Sequence, residues 1–204
     1  MTSIKFLLCV LLFTTVSFRN SAGLTDAERN YALNLLQDSR ETLLTKVKGL
    51  TPEQLAFKAD PSSWSVAQCV EHITITENGL FDRALATLKD PADPSKRSEV
   101  KLSDDQVLKM IENRTMKFKA QDAVLPTGQF GDFQTTIKEF VSRRNKHIEY
   151  IKTTTDDLRN HYFDFPFGKV DAYQTIIFMA GHSKRHTAQI DEIMQHANFP
   201  KAGK

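Results

Sequence analysis

Apolar residues recur three and four positions apart along most of the chain, the spacing of one face of an α-helix. Several of these stretches open with Ser, Thr or Asp followed three residues later by Glu or Gln, a pattern typical of a helix N-terminus. None of these stretches opens with the alternation of apolar and polar residues that is typical of a strand. Five such pairs occur: Thr25 with Glu28, Thr51 with Gln54, Ser65 with Gln68, Ser103 with Gln106, and Asp171 with Gln174.

The pattern predicts four long helices and one shorter helix. The long helices span about residues 25–49, 65–89, 132–154 and 171–196, and the shorter one spans about residues 103–120, between the second and third long helices. A short turn follows Thr51, and turn-forming residues occupy 90–95, 126–128 and 165–168. Four long amphipathic helices can each bury one apolar face in a four-helix bundle, so we expect an all-α fold.

The first 23 residues have the character of a secretory signal peptide. Lys5 precedes an apolar run over residues 6–18, and the small residues Ser21, Ala22 and Gly23 follow it. The run is shorter than the roughly 20 apolar residues that a membrane-spanning helix needs. We therefore expect cleavage near Ala22 or Gly23, a mature domain at 24–204 and export to the periplasm or the medium. No stable membrane insertion is expected after cleavage.

Composition narrows the classes of partner. The chain has 204 residues, with 27 Lys and Arg against 25 Asp and Glu. Residues 1–23 contain two basic residues and no acidic one, so their removal would leave equal numbers of basic and acidic residues. This balance argues against a nucleic-acid partner and against a polybasic membrane surface. The mature chain would keep one cysteine, Cys69, and would therefore contain no intrachain disulfide.

The most informative polar residues are His182 and His186 in the last predicted helix. Residues four apart lie on the same helix face, and this face also carries Phe178 and Ile190, whereas Lys184 points elsewhere. Two histidines on an apolar face need partners. They are either core histidines bonded to carbonyl or carboxylate groups, or ligands of one metal ion.

A metal ion would need a third ligand, and His72 in the second long helix is the best candidate because small residues flank it. His147 is the alternative, as a fourth ligand, an outer hydrogen-bonding group or, the interpretation we favour, a packing residue. Three histidines suit Zn²⁺ or Ni²⁺ and leave a position for water, whose pKa the ion lowers. Ser183 follows His182 where a His-Glu-x-x-His protease needs glutamate, so such a protease is excluded.

Four other residues have weaker functional interpretations. Glu71 is a weak candidate for a general base or a histidine-orienting group, with a solvated acid as the alternative. Trp64 is expected to pack at the start of the second long helix rather than stack on a substrate. Arg144 could bind an anionic substrate or extend its charge to solvent. Cys69 is expected to be a small buried apolar residue rather than a nucleophile or a ligand.

Together these motifs resemble the DinB-like superfamily of metal-binding four-helix bundles, and specifically its second subgroup. The resemblance implies an up-down-down-up bundle with three inward histidines around a divalent ion, which correspond here to His72, His182 and His186. The resemblance rests on Trp64-Ser65, Glu71-His72, Phe167-Gly168, Asp171-Ala172-Tyr173-Gln174, His182, Arg185-His186 and Gln189-Ile190.

Relatives with assigned activities are metal-dependent hydrolases or thiol-dependent S-transferases. Export disfavours the second activity, because low-molecular-weight thiols are chiefly intracellular. The sequence therefore predicts an exported metal-dependent hydrolase acting on a small polar substrate through water activated at one divalent ion. The alternatives are a bundle that binds metal without catalysis, a metal-free interaction domain and a thiol-dependent S-transferase, and a homodimer is left open.

Overall fold

The computed structural model describes residues 23–201, so the predicted signal peptide lies, except for Gly23, outside the described residues. Within the described range no helix has the length and apolar character needed to cross a membrane. The helices are α1 (Asp26–Val47), α2 (Pro52–Ala56), α3 (Val66–Thr87), α4 (Asp104–Glu112), α5 (Phe133–Thr153) and α6 (Ala172–Met194), with 3-10 turns at Pro94–Glu99 and Asp122–Val124 and strands β1 (Tyr162–Phe165) and β2 (Gly168–Asp171).

The helix starts follow the predicted capping pairs. At Thr25, Thr51, Ser65 and Ser103 the side chain accepts a hydrogen bond from the backbone amide three residues on. The side chain of that later residue in turn accepts one from the backbone amide of the cap residue. Asp171 also accepts from the Gln174 amide, but the Gln174 side chain donates elsewhere, to a loop carbonyl. The turn expected after Thr51 is the short helix α2.

The four long helices form a bundle in which α1 and α3 each contact both α5 and α6. Residues 28–29 near the start of α1 bond to Tyr173 near the start of α6 and to Ile151 near the end of α5. The rings of Phe81 and Tyr150, near the ends of α3 and α5, also meet. Hence α1 and α6 run one way and α3 and α5 the other, which confirms the up-down-down-up bundle.

The connection between α3 and α5 contains the expected extra helix, but α4 ends at Glu112 rather than near residue 120. The side chain of Asn113 accepts two hydrogen bonds from Thr115, which holds the chain in a turn just after the helix. Helix α4 packs against α6 at Gly181, where any side chain would overlap Ile111. The glycine beside His182 therefore allows this close approach.

A short hairpin precedes α6 and was not predicted. Strands β1 and β2 pair antiparallel, with Tyr162 opposite Asp171 and Phe165 opposite Gly168. The sequence does alternate here, because Phe163, Phe165 and Phe167 are two residues apart. This alternation covers only residues 163–167, which is too short to predict a strand within a chain of helical periodicity.

The core has two apolar clusters, one at each end of the bundle, with a polar layer between them. Arg144 is fully buried in this layer, which corrects both sequence interpretations of it. Its guanidinium forms two hydrogen bonds with buried Glu77 and also donates to Ser39 and Ser183. Arg144 is thus the countercharge of Glu77, and no part of it reaches a substrate or solvent.

Candidate metal centre

The first histidine of the site lies in the second turn of α3. Ser65 caps this helix and Trp64, just before the cap, packs on the apolar cluster that contains Cys69. His72 is 3% exposed, and its Nδ1 donates to the carbonyl of Val124 at 2.7 Å. A carbonyl can only accept, so the proton of this ring lies on Nδ1 and Nε2 keeps its lone pair.

The other two histidines lie one turn apart on α6. His186 Nδ1 donates to the side-chain oxygen of Gln189 at 2.9 Å. The hydroxyl of Thr76 donates to the carbonyl of His72 at 2.8 Å, so its oxygen is free to accept from Nδ1 of His182 at 3.3 Å. In both of these rings the hydrogen-bond partner of Nδ1 acts as an acceptor, so the ring proton lies on Nδ1.

The three rings meet at one point. Nε2 of His182 lies 3.2 Å from Nε2 of His72 and 3.2 Å from Nε2 of His186. With the protons on Nδ1, these short contacts bring lone pairs together rather than forming hydrogen bonds. Two ligands about 2.1 Å from one ion lie within about 4.2 Å of each other. The donor set therefore fits one divalent cation, which all three lone pairs could share.

The surroundings keep the three imidazoles neutral. Burial lowers the pKa of His72, although its bond to Val124 opposes the shift. Burial lowers the pKa of His186 to about 3, aided by the neighbouring His72. Burial also holds the pKa of His182 well below its ordinary value, aided by the proximity of the other two rings. Neutral imidazole is the form that binds metal, so the ligands are ready near neutral pH.

The cluster reaches solvent on the side of His182, which is half-buried, whereas His72 and His186 are buried. On α6 between residues 171 and 181, Phe178 is the one residue that is not buried, and its ring stacks toward His182 at 6.3 Å. The ring of Trp64 is 4.6 Å from His72 and 5.9 Å from His186. Trp64 therefore packs at the helix start, as expected, and also borders the site.

Glu71 is buried, so it is not the solvated acid that the sequence allowed, and its contacts give it an indirect form of the histidine-orienting role. One of its carboxylate oxygens accepts hydrogen bonds from the backbone amides of Thr127, Gly128 and Gln129, at 3.2, 2.7 and 2.9 Å. Among the described residues, the group of side chains that could hold one metal ion consists of three histidines and includes no carboxylate. Glu71 thus holds the loop whose Val124 carbonyl orients His72, and it is a positioning residue rather than a general base.

We expect Glu71→Ala to loosen this loop and to weaken metal binding. Loss of an outer partner of a metal-binding histidine typically costs 10- to 100-fold in affinity, so a drop of about tenfold in zinc affinity is expected. Hydrogen exchange should accelerate at the amides of residues 127–129. Glu71→Gln keeps an acceptor oxygen and should have the smaller effect. Unchanged exchange and affinity in Glu71→Ala would contradict this role.

The remaining sequence candidates lie outside the cluster. His147 donates to Glu77 at 3.1 Å and stacks on Phe81 with ring centres 3.9 Å apart, which is the packing position that we favoured. Cys69 is fully buried, and burial raises the pKa of its thiol to about 12. It is therefore neither a thiolate nucleophile nor a fourth ligand, as expected.

Comparison with known proteins agrees with this geometry. The family profile described as the DinB superfamily matches residues 35–190. The chain belongs to the DinB superfamily. This match includes all three histidines of the cluster and confirms the family identified from the sequence motifs.

Two proteins of Bacillus subtilis are similar to this chain. The uncharacterized protein YuaE of strain 168 is 21% identical over 164 residues, which cover 80% of this chain and 97% of YuaE. The structure of YfiT aligns with a TM-score of 0.59 at 15% identity and covers 87% of this chain and 92% of YfiT. YfiT is described as a probable metal-dependent hydrolase with an unusual four-helix bundle topology. At this identity the likeness shows the shared fold.

Sequence reasoning missed the residues that orient the histidines. Thr76 entered the prediction only as one of the small residues beside His72. Gln189 entered only as part of the family motif, although it lies three residues after His186 and therefore on the same helix face. The Val124 carbonyl had no signal, because a backbone oxygen has no residue identity and lies 52 positions from His72.

Proposed function

We propose that this protein is a metal-dependent hydrolase whose ion is held by His72, His182 and His186. The observation that carries the proposal is the convergence of three Nε2 atoms, with both separations from His182 at 3.2 Å and every Nδ1 occupied by another partner. A divalent ion such as Zn²⁺ or Ni²⁺ on three histidines supplies a Lewis acid that activates water near neutral pH.

The chain's own residues hold and shield the centre. Val124, Thr76 and Gln189 fix the three ring orientations, so the donors need no rearrangement to bind an ion. Trp64 covers the cluster on one side and leaves the His182 side for the substrate. The three donors are neutral, so a bound ion would keep its full positive charge for an oxygen of a small polar substrate. The description of YfiT supports the same reaction class.

A bundle that binds metal without catalysis is the second candidate. Its support is that no carboxylate of the described residues lies among the three histidines to act as a general base. A cluster that holds an ion without such a base would suit metal storage or sensing.

Metal analysis and a hydrolysis screen distinguish these candidates. The protein should be purified without a histidine tag, assayed for bound metals, and tested on esters, amides and phosphoesters before and after chelation. We expect about one bound metal ion per chain and a hydrolytic activity that chelator removes and that Zn²⁺ or Ni²⁺ restores. Metal without turnover would favour the second candidate. Absence of metal binding would leave an interaction domain.

Export is a separate proposal that rests on residues 1–23. A basic residue, a short apolar run and small residues near position 22 are typical of a cleaved signal. Cell fractionation followed by N-terminal sequencing should find a mature chain that begins near residue 23 or 24 outside the cytoplasm. A full-length chain in the cytoplasm would contradict export and leave the metal site unaffected.

A further inference from the structure

A row of half-exposed aromatic rings continues from the histidine cluster onto the hairpin. We call the side chains of Phe163, Phe165, Phe167 and Phe178 the aromatic strip. Phe165 lies 4.8 Å from Phe178, 5.0 Å from Phe167 and 5.0 Å from Phe163. Phe178 in turn stacks toward His182. All four rings are only partly buried, so the strip presents a continuous apolar surface that ends at the metal centre.

Helix α3 leaves space beside this strip. Thr76, Gly79 and Arg83 lie on one face of α3. Thr76 contacts His182 and Arg83 contacts Phe163, so Gly79 lies between these two contacts. A side chain at Gly79 would meet no atom within 4 Å at its first carbon. Glycine inside a helix is less favourable than alanine. The exposed glycine therefore leaves open space on this face of α3, which we call the groove.

The far end of the groove carries a positive charge. The guanidinium of Arg83 lies 4.4 Å above the ring of Phe163, and Arg83 makes no ion pair with any residue that the structure describes. Arg83 follows His72 by eleven residues on the same helix, which places it roughly 16 Å away along the axis. An exposed guanidinium that lies over a ring keeps its N–H donors available for a carboxylate.

We propose that the aromatic strip binds the body of the substrate, which is an elongated ester or amide with an aryl ring and a distal carboxylate. The ring stacks on Phe165 and Phe178, the carboxylate pairs with Arg83, and the scissile bond lies at the histidine cluster. This inference rests on the proposed hydrolase function for the reaction, but the binding surface itself consists of residues that hold no metal.

Binding can be tested on the metal-free protein, in which a carboxylate has no ion to bind. The probes are 4-phenylbutanoate, hexanoate without the ring, and 4-phenylbutanamide without the charge, titrated into ¹⁵N-labelled protein and followed by NMR. We expect 4-phenylbutanoate to bind about tenfold more tightly than hexanoate and several-fold more tightly than the amide. The largest shifts should fall at residues 162–168 and near Phe178.

Three variants locate the binding surface. Phe165→Leu removes a stacking ring, and Gly79→Leu fills the groove while favouring the helix, so both should weaken 4-phenylbutanoate binding by about tenfold. Phe118→Leu is the control, because Phe118 is 63% exposed and lies against Arg185, away from the strip. A retained amide spectrum in Gly79→Leu verifies that the fold is intact.

Several outcomes would overturn the inference. These are the lack of saturable shifts up to roughly 10 mM probe, equal affinity for 4-phenylbutanoate and hexanoate, or strip variants that behave like Phe118→Leu. Failure of the hydrolase proposal would look different: the metal-free protein would still prefer the aryl carboxylate, while the metal-loaded protein would hydrolyse no ester or amide. The two proposals therefore fail separately.

Discussion

Replacing His182 with alanine is expected to reduce the bound metal of the purified protein from about one ion per chain to near zero. His182 is the member of the cluster whose Nε2 lies 3.2 Å from both other Nε2 atoms, so its loss leaves two donors and no central ligand. The affinity for Zn²⁺ should fall by more than the 10- to 100-fold that is typical when a metal-binding histidine loses its hydrogen-bond partner. Calorimetric titration of Zn²⁺ into the metal-free variant measures this change.

The matched control is His196→Ala, which removes an imidazole from the end of α6 without touching the cluster. His196 contacts Phe57 and accepts a hydrogen bond from the Asn198 amide. This variant should keep the metal content of the parent. Equal metal content in His182→Ala and the parent would refute the three-histidine centre, whatever activity the protein has.

Replacing Arg144 with methionine is expected to lower the free energy of unfolding by about 3–5 kcal/mol, the usual cost of removing one partner from a buried ion pair. Arg144 and Glu77 are both almost fully buried. Arg144 also donates to the carbonyl of Leu36 and to Ser39 and Ser183, so it joins all four long helices. Its loss leaves a buried carboxylate with His147 as its remaining partner among the described residues.

The pH dependence of this loss identifies its cause. Burial by itself would raise the pKa of Glu77, but the charge and hydrogen bonds of Arg144, aided by His147, hold it below its ordinary value. A lowered pKa in the folded state stabilises the protein above the ordinary glutamate pKa of about 4.3 and ceases to do so as the pH falls through the folded value. The deficit of Arg144→Met should therefore be largest near neutral pH and shrink below about pH 4.

Urea unfolding at several pH values measures both effects. Arg143→Met is the matched control, because Arg143 is the adjacent arginine on α5 and its partner Glu139 is 40% exposed. A partly exposed ion pair contributes about 1 kcal/mol or less, so the control should change little. A pH-independent deficit in Arg144→Met would indicate lost packing instead of an unpaired carboxylate.

The helical architecture and part of the site could be predicted because both depend on neighbours in the chain. Capping pairs such as Ser65 with Gln68 act over three residues, and the spacing of His182 and His186 places both rings on one face of any helix that forms. His72 entered the prediction through its small neighbours and the family resemblance, since no local pattern joins α3 to α6.

The amino-acid sequence by itself determined four long helices, three of them with N-terminal capping pairs, the family, and two histidines on the apolar face of the last helix. Only the tertiary structure decided that His72 meets them, that the Val124 carbonyl orients it, and that Arg144 faces Glu77. The reason is physical: contacts within one helix turn are encoded by periodicity, whereas these partners, 52 to 110 positions apart, depend on how the helices pack.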